Sequence, residues 1–165
     1  MIRRGGPADH PWVIEEGTYA YADLGDYRRI LPSWLTQPGV LVFLDEDVAV
    51  GGAPVRRGFA MLGFYLEPNE HGESQPIADL LALAVAPPYQ RLGIGKQLLQ
   101  HVIATTARVA EHSKVWELRL TVAGDNTVAQ RMYERAGFVR ASVLASTYYE
   151  RGQLAVRMVR SLAGR

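Results

Sequence analysis

The junction "IADLLALAVAPPYQRLGIGKQLLQ" (residues 77–100) limits the fold of this chain more than any other stretch. Its first part is apolar except for Asp79, as a strand covered on both faces would be. Two prolines stop that run. From Ile94 the period changes, and Ile94, Leu98, Leu99, Val102, Ile103 and Ala107 recur at spacings of three and four. This predicts an amphipathic helix to about His112. Gly93 and Gly95 strip its start of side chains, leaving unpaired N–H groups and the positive end of the helix dipole. An anion such as a phosphate suits that place. A strand-to-helix turn that uses glycine for geometry alone is the plainer alternative.

Around this junction the chain reads as one α+β domain over residues 1–165. "ADHPWVIEE" predicts a helix with Asp9 as N-cap, and "DYRRILPSWLT" a second one ending or interrupted near Pro32. "GVLVFLDE" and "GFAMLGFYLE" are strands, the latter with a bulge expected at Gly63; residues 45–58 form a glycine-rich turn region. "PNEHGESQP" is a polar loop. "KVWELRLTV" alternates Val115, Glu117 and Arg119 against Trp116, Leu118 and Leu120, which predicts a strand. "DNTVAQRMYERAGF" predicts a helix capped by Asp125 or Asn126 and ended by Gly137. "FVRASVLAS" and "QLAVRMVRSL" complete the set as two strands joined by "TYYERG".

Composition removes several classes of function. The 18 basic and 17 acidic residues leave a net charge of +1, no footprint for general nucleic-acid binding. With no cysteine, thiolate metal sites and cysteine nucleophiles are excluded. His10, His71, His101 and His112 show no metal-ligand spacing, so no metal is expected. The start "MIRRGGPADHP" has no apolar core behind it, and no apolar run is long enough for a bilayer. The expectation is a cytoplasmic protein without a membrane partner.

Two phosphate motifs fail at the glycines. A P-loop would need Gly at Gln90 and Ser or Thr at Gln97, and a dinucleotide fingerprint would need Gly at Leu98. Gln-x-x-Gly-x-Gly remains. "QRLGIG" resembles the acyl-CoA pyrophosphate loop of the GNAT family of N-acetyltransferases. "LTVAGDNTVAQRMYERAGF" is similar to that family's fifth strand and following helix, with Asn126, Ala129, Tyr133, Gly137 and Phe138 at the family spacing. "IRRGGPADHP" looks like its first strand and turn. The resemblance is strongest over residues 77–138.

It implies a mixed, mostly antiparallel sheet of about seven strands with about four helices, splayed between the fourth and fifth strands. It also implies acetyl transfer from acetyl-CoA to an amine by direct attack in a ternary complex. Leu83 and Val85 would bind the pantetheine arm. Gln90, Arg91, Leu92, Gly93, Ile94, Gly95 and Lys96 would surround the pyrophosphate, and Asn126 and Tyr133 would complete the coenzyme site. Asp79, eleven residues before Gln90, falls where one branch carries its general base. The Leu83 N–H would stabilise the oxyanion and Tyr133 would protonate the leaving thiolate. The partners expected are acetyl-CoA and an amine acceptor, with room for a homodimer. "TYYERGQLAVRM" resembles the branch that acetylates protein N-termini, yet Thr121 stands where that branch has a glutamate. Tyr148 and Tyr149 line an acceptor pocket or pack a hairpin. The rival reading is a silent acyl-CoA-binding sensor or scaffold.

Overall fold

The computed structural model describes residues 1–162; the last three residues of the expected domain lie outside them. The elements run β1 (Ile2–Arg4), α1 (His10–Ala20), α2 (Tyr27–Leu35), β2 (Val40–Val48), β3 (Pro54–Pro68), β4 (Ser74–Val85), α3 (Ile94–Ser113), β5 (Glu117–Ala123), α4 (Thr127–Arg135), β6 (Val139–Val143) and β7 (Ala155–Ser161). The strands form one sheet in the order β1-β2-β3-β4-β5-β7-β6. Every pairing is antiparallel except β4 with β5.

Period-two alternation divides the sheet into two cores. In β3, Ala60 and Leu62 pack with Leu98, Leu99 and Val102 of α3 and with Tyr133 of α4. Phe59 and Met61 point the other way, to Val13 of α1 and Tyr27 and Leu31 of α2. The parallel pairing is short: Ala78, Asp79 and Leu80 face Leu118, Arg119 and Leu120. Beyond it β4 continues to Val85 and β5 to Ala123 without pairing to each other, so the sheet is splayed there.

Several local expectations change. The 45–58 turn shrinks to residues 49–53 and the polar loop to residues 69–73, because cross-strand pairing carries polar residues into the ladders. The β3–β4 register shift falls between Met61 and Leu62 rather than at Gly63. Gly63 instead leaves room for Leu81, whose Cδ1 would lie 2.8 Å from an added Cβ. Pro32 sits inside α2, which continues to Leu35. Trp116 precedes β5 and is half exposed, so it does not share the buried face of Leu118 and Leu120.

Asp9 makes no side-chain cap on α1. Its buried carboxylate accepts two bonds from Arg3, at 2.9 and 2.8 Å, one from Arg56 Nε at 3.0 Å and one from the Gly6 N–H at 2.9 Å. Those partners, led by Arg3, hold its carboxyl well below the usual carboxylate range. An ion-pair hub has replaced the cap. Gly137 does end α4, at φ +94°, and Asn126 caps its start by accepting from the Ala129 N–H at 3.2 Å.

Candidate active site

The loop between β4 and α3 builds a concave backbone. Arg91 and Gly93 both adopt left-handed φ, at +65° and +83°, and such reversals turn successive N–H groups toward one point. A non-glycine residue at Arg91's angle is uncommon and marks a functional candidate. Nothing lies within 4 Å of where a Gly93 Cβ would stand, so the space above the turn is open. Arg91, Leu92, Gly93 and Lys96 are exposed, while Ile94 is buried and anchors the helix start in the core. The Gln90 side chain donates to the Val85 carbonyl at 3.0 Å, which ties the loop back to β4. These residues fit a diphosphate: open N–H groups, a helix dipole and a nearby cation.

The splay exposes the β4 edge at Leu83. Its backbone is already engaged on that side by one phenol. Tyr21 Oη accepts from the Leu83 N–H at 2.9 Å and donates to the Leu83 carbonyl at 3.1 Å. A hydroxyl is both donor and acceptor, so it can satisfy a free strand edge as another strand would. The sequence placed Tyr21 only in a group of aromatics, with Tyr19, Tyr27 and Trp34, and gave it no role of its own; it comes from the α1–α2 connection, where its ring stacks on Tyr27 with centroids 4.9 Å apart. Tyr133 lies across the splay, edge-on to Phe138 with centroids 5.9 Å apart. Its hydroxyl makes no hydrogen bond among the described residues. Burial pushes this phenol far above the ordinary tyrosine range, and the phenols of Tyr21 and Tyr149 add to the shift.

A cavity of about 460 Å³ adjoins the splay on the α1–α2 side. Asp79 lines it with Trp34, Phe64, Tyr65, Arg119, Tyr148 and Arg157 among others. Asp79 Oδ2 accepts from Tyr65 Oη at 2.7 Å and from Arg119 Nε at 3.1 Å. Arg119 extends the chain to Glu67, through Nη1 at 3.1 Å and Nη2 at 2.6 Å. That fork, with a weaker effect of Arg157, holds the Glu67 carboxyl below its usual value. Burial and then the Asp79 charge push the Tyr65 phenol up. Both hydrogen bonds to Asp79 fall on Oδ2, which leaves Oδ1 without a hydrogen bond among the described residues.

The pair of tyrosines in "TYYERG" divides between both expected roles. Tyr148 lines the cavity, while Tyr149 is buried with Ala123 and Ala155. Glu150 pairs with Arg29 and accepts from the Asp26 N–H at 3.1 Å, and Gln153 donates to the Asp23 carbonyl. The β6–β7 connection is thus stitched to the α1–α2 connection. Of the coenzyme residues expected from sequence, Leu83, Val85, the 90–96 loop and Tyr133 come together around the splay. Asn126 is occupied as a helix cap.

The model of the GNAT acetyltransferase family matches residues 9–138 of the chain. This chain belongs to that family. Among its relatives, a mycothiol acetyltransferase of Mycolicibacterium gilvum is 30% identical over 141 residues, which cover 83% of this chain and 41% of that protein. The chain therefore spans about two fifths of the length of that relative. In fold it resembles the crystal structure of the ribosomal-protein-S18-alanine N-acetyltransferase of Escherichia coli (TM-score 0.72, 22% identity, 100% of this chain and 95% of that one). It also resembles Arabidopsis thaliana NAA60 in complex with acetyl-CoA (TM-score 0.75, 16% identity, 98% and 97% covered). The GNAT fold, with its parallel β4–β5 pair and open sheet, is thereby the fold of this chain.

Proposed function

We propose that the chain is an acetyl-CoA-dependent N-acetyltransferase that transfers acetyl to an amine of a small molecule or peptide by direct attack. The observation that carries this reading is the adjacency, along β4, of a splayed edge at Leu83 and Val85 to a cavity starting at Asp79. Acetyl-CoA supplies the acetyl group as a thioester. N–H groups of residues 91–96, with Lys96, hold the diphosphate, and the β4 edge holds the pantetheine arm. Asp79 takes the proton that an ammonium must lose before its nitrogen can attack, directly or through a water. The N–C bond forms, and the Leu83 N–H, released by Tyr21, stabilises the oxyanion. As the C–S bond breaks, Tyr133 protonates the departing thiolate, and the second proton of the acetylated nitrogen returns to the phenolate, directly or through a water. Among the described residues no helix is long and apolar enough to cross a membrane. The proposed setting is the cytoplasm.

Thiol release from acetyl-CoA, measured across amines, polyamines, aminoglycosides, amino acids and peptides, tests the proposal. At least one class should be acetylated, with CoA formed in equal amount. Tight acetyl-CoA binding with no turnover on any class would instead favour a silent acyl-CoA-binding sensor.

A further inference from the structure

Strand alternation places a second cation in the cavity wall. Arg157 of β7 stands opposite Thr121 of β5, and Thr121 is two residues beyond Arg119. Residues two apart share a face, and so do cross-strand partners. Arg119, Thr121 and Arg157 therefore share one face of the sheet, and both arginines line the cavity. Their situations differ. Arg119 is committed to Asp79, Tyr65 and both oxygens of Glu67. Arg157 makes no hydrogen bond or ion pair among the described residues, and its Nε is buried with no acceptor.

A guanidinium is permanently charged, and a buried N–H left unpaired is costly enough to call for an explanation. Glu67 gives both of its oxygens to Arg119 and meets Arg157 only through its charge, with no hydrogen bond or ion pair between them. The charges of the cavity point the same way. Asp79 in the wall and Glu67, which is outside the lining but bonded to Arg119, balance Arg119 and Arg157, so a simple ammonium would leave a net positive site with no anion for Arg157. An acceptor carrying both an ammonium and a carboxylate preserves neutrality. Its ammonium faces Asp79 and its carboxylate meets the fork of Arg157, the geometry that guanidinium recognises best. Trp34, Phe64, Tyr65 and Tyr148 surround the remaining space with aromatic surface. We infer that the acceptor is an amino carboxylate of amino-acid size, bound through its carboxylate by Arg157 and carrying an apolar or aromatic side chain. This inference rests on the acetyltransferase reading for the amine end alone.

The experiment compares the common L-amino acids with their carboxamides in the thiol-release assay, for wild type, Arg157→Met and Arg157→Lys. Met keeps length and apolar bulk, and melting curves check that each variant is folded. Wild type should prefer the best amino acid over its amide by on the order of 10²-fold in kcat/KM, mostly through KM. In Arg157→Met that ratio should collapse toward one, with Arg157→Lys in between. Preference of wild type for the amide, or equal loss on both substrates in Arg157→Met, overturns the inference. A second arm does not need turnover: CoA-loaded protein is titrated calorimetrically with N-acetyl amino acids and their amides. Carboxylate-dependent binding that disappears in Arg157→Met supports the role of Arg157 even if no amine is acetylated. Equal binding of both forms, or binding of neither, overturns it.

Discussion

Replacing Gly95 by alanine separates the coenzyme role of this glycine from its structural one. Gly95 is the second residue of α3, and its φ is not among the positive ones. A Cβ there would lie 3.7 Å from Met132 Sδ and 3.7 Å from Val85 Cγ2, ordinary van der Waals distances. The fold can therefore accept the methyl. Helix propensity favours alanine over glycine by up to about 1 kcal/mol, less in a first turn, so a gain of roughly 0.5 kcal/mol is expected. For a chain of this size that raises Tm by about 1–2 °C. The two neighbours also show where the methyl goes: between the end of β4 and α4, the mouth of the splay. If the pantetheine arm passes there, acetyl-CoA affinity should fall at least about tenfold, or ~1.4 kcal/mol. Thermal melts with and without acetyl-CoA read both effects at once. At a concentration 100 times its Kd the ligand stabilises wild type by about 2.7 kcal/mol, and a tenfold weaker variant by only about 1.4 kcal/mol. A variant that melts higher and keeps the full ligand shift would show that Gly95 serves the turn alone. A variant that melts lower without ligand would refute the packing argument.

The remaining predictions concern three side chains. Asp79→Asn should lower turnover about 10²-fold with acetyl-CoA affinity nearly unchanged, since no coenzyme contact is asked of it; near-full activity would make Asp79 structural. Tyr133→Phe should cost roughly 10- to 1000-fold in turnover with little change in melting temperature, because its hydroxyl bonds to nothing among the described residues. A fully active variant would reduce Tyr133 to packing. Asp9→Asn should destabilise the protein by roughly 2–3 kcal/mol in urea unfolding, below the range for fully buried pairs because Arg3 and Arg56 are partly exposed. Its depressed carboxyl also sets a pH dependence: the stability it contributes is complete above about pH 4, the ordinary carboxylate value, and is lost as pH falls toward its folded value. Asp9→Asn should blunt that acid limb, and an unchanged limb would assign it to Glu46 and Glu67, which are depressed in the same direction.

What was legible in the sequence is what one contiguous segment can encode. The change of period at Ile94, the glycines before it and the apolar run ending at Val85 needed no tertiary information, and α3 begins at Ile94 as read. Asp79 was visible because an acid inside an apolar run is conspicuous, and the fold does place it in a cavity. Its partners were hidden. Tyr65 and Glu67 come from β3 and Arg119 from β5, and only the registers Gly63↔Asp79 and Asp79↔Arg119 bring them together. The alternation around Arg119 did put a cation on a polar face, a signal that it needed an acid across the sheet. Tyr21 carried no such mark, since its partner is backbone. Asp9 looked like a cap because local sequence cannot reveal that Arg3 and Arg56 converge on it.

The same contrast explains why the coenzyme half could be recognised and the acceptor half could not. On the proposed reading, residues 83–96 meet the coenzyme largely through backbone, so the requirement on sequence is small residues and left-handed turns at fixed spacing. The acceptor cavity is lined by side chains from α2, β3, β4, β5, β7 and the β6–β7 connection, each free to vary without disturbing the pyrophosphate loop. Arg119 is where the two demands meet. By taking Asp79 Oδ2 and both oxygens of Glu67, it holds both carboxylates in place, and neither makes a hydrogen bond or ion pair with Arg157. An arginine at 157 is therefore informative only because Arg119 is at 119. With Glu67 free, Arg157 would have a ready partner and would say nothing about the acceptor.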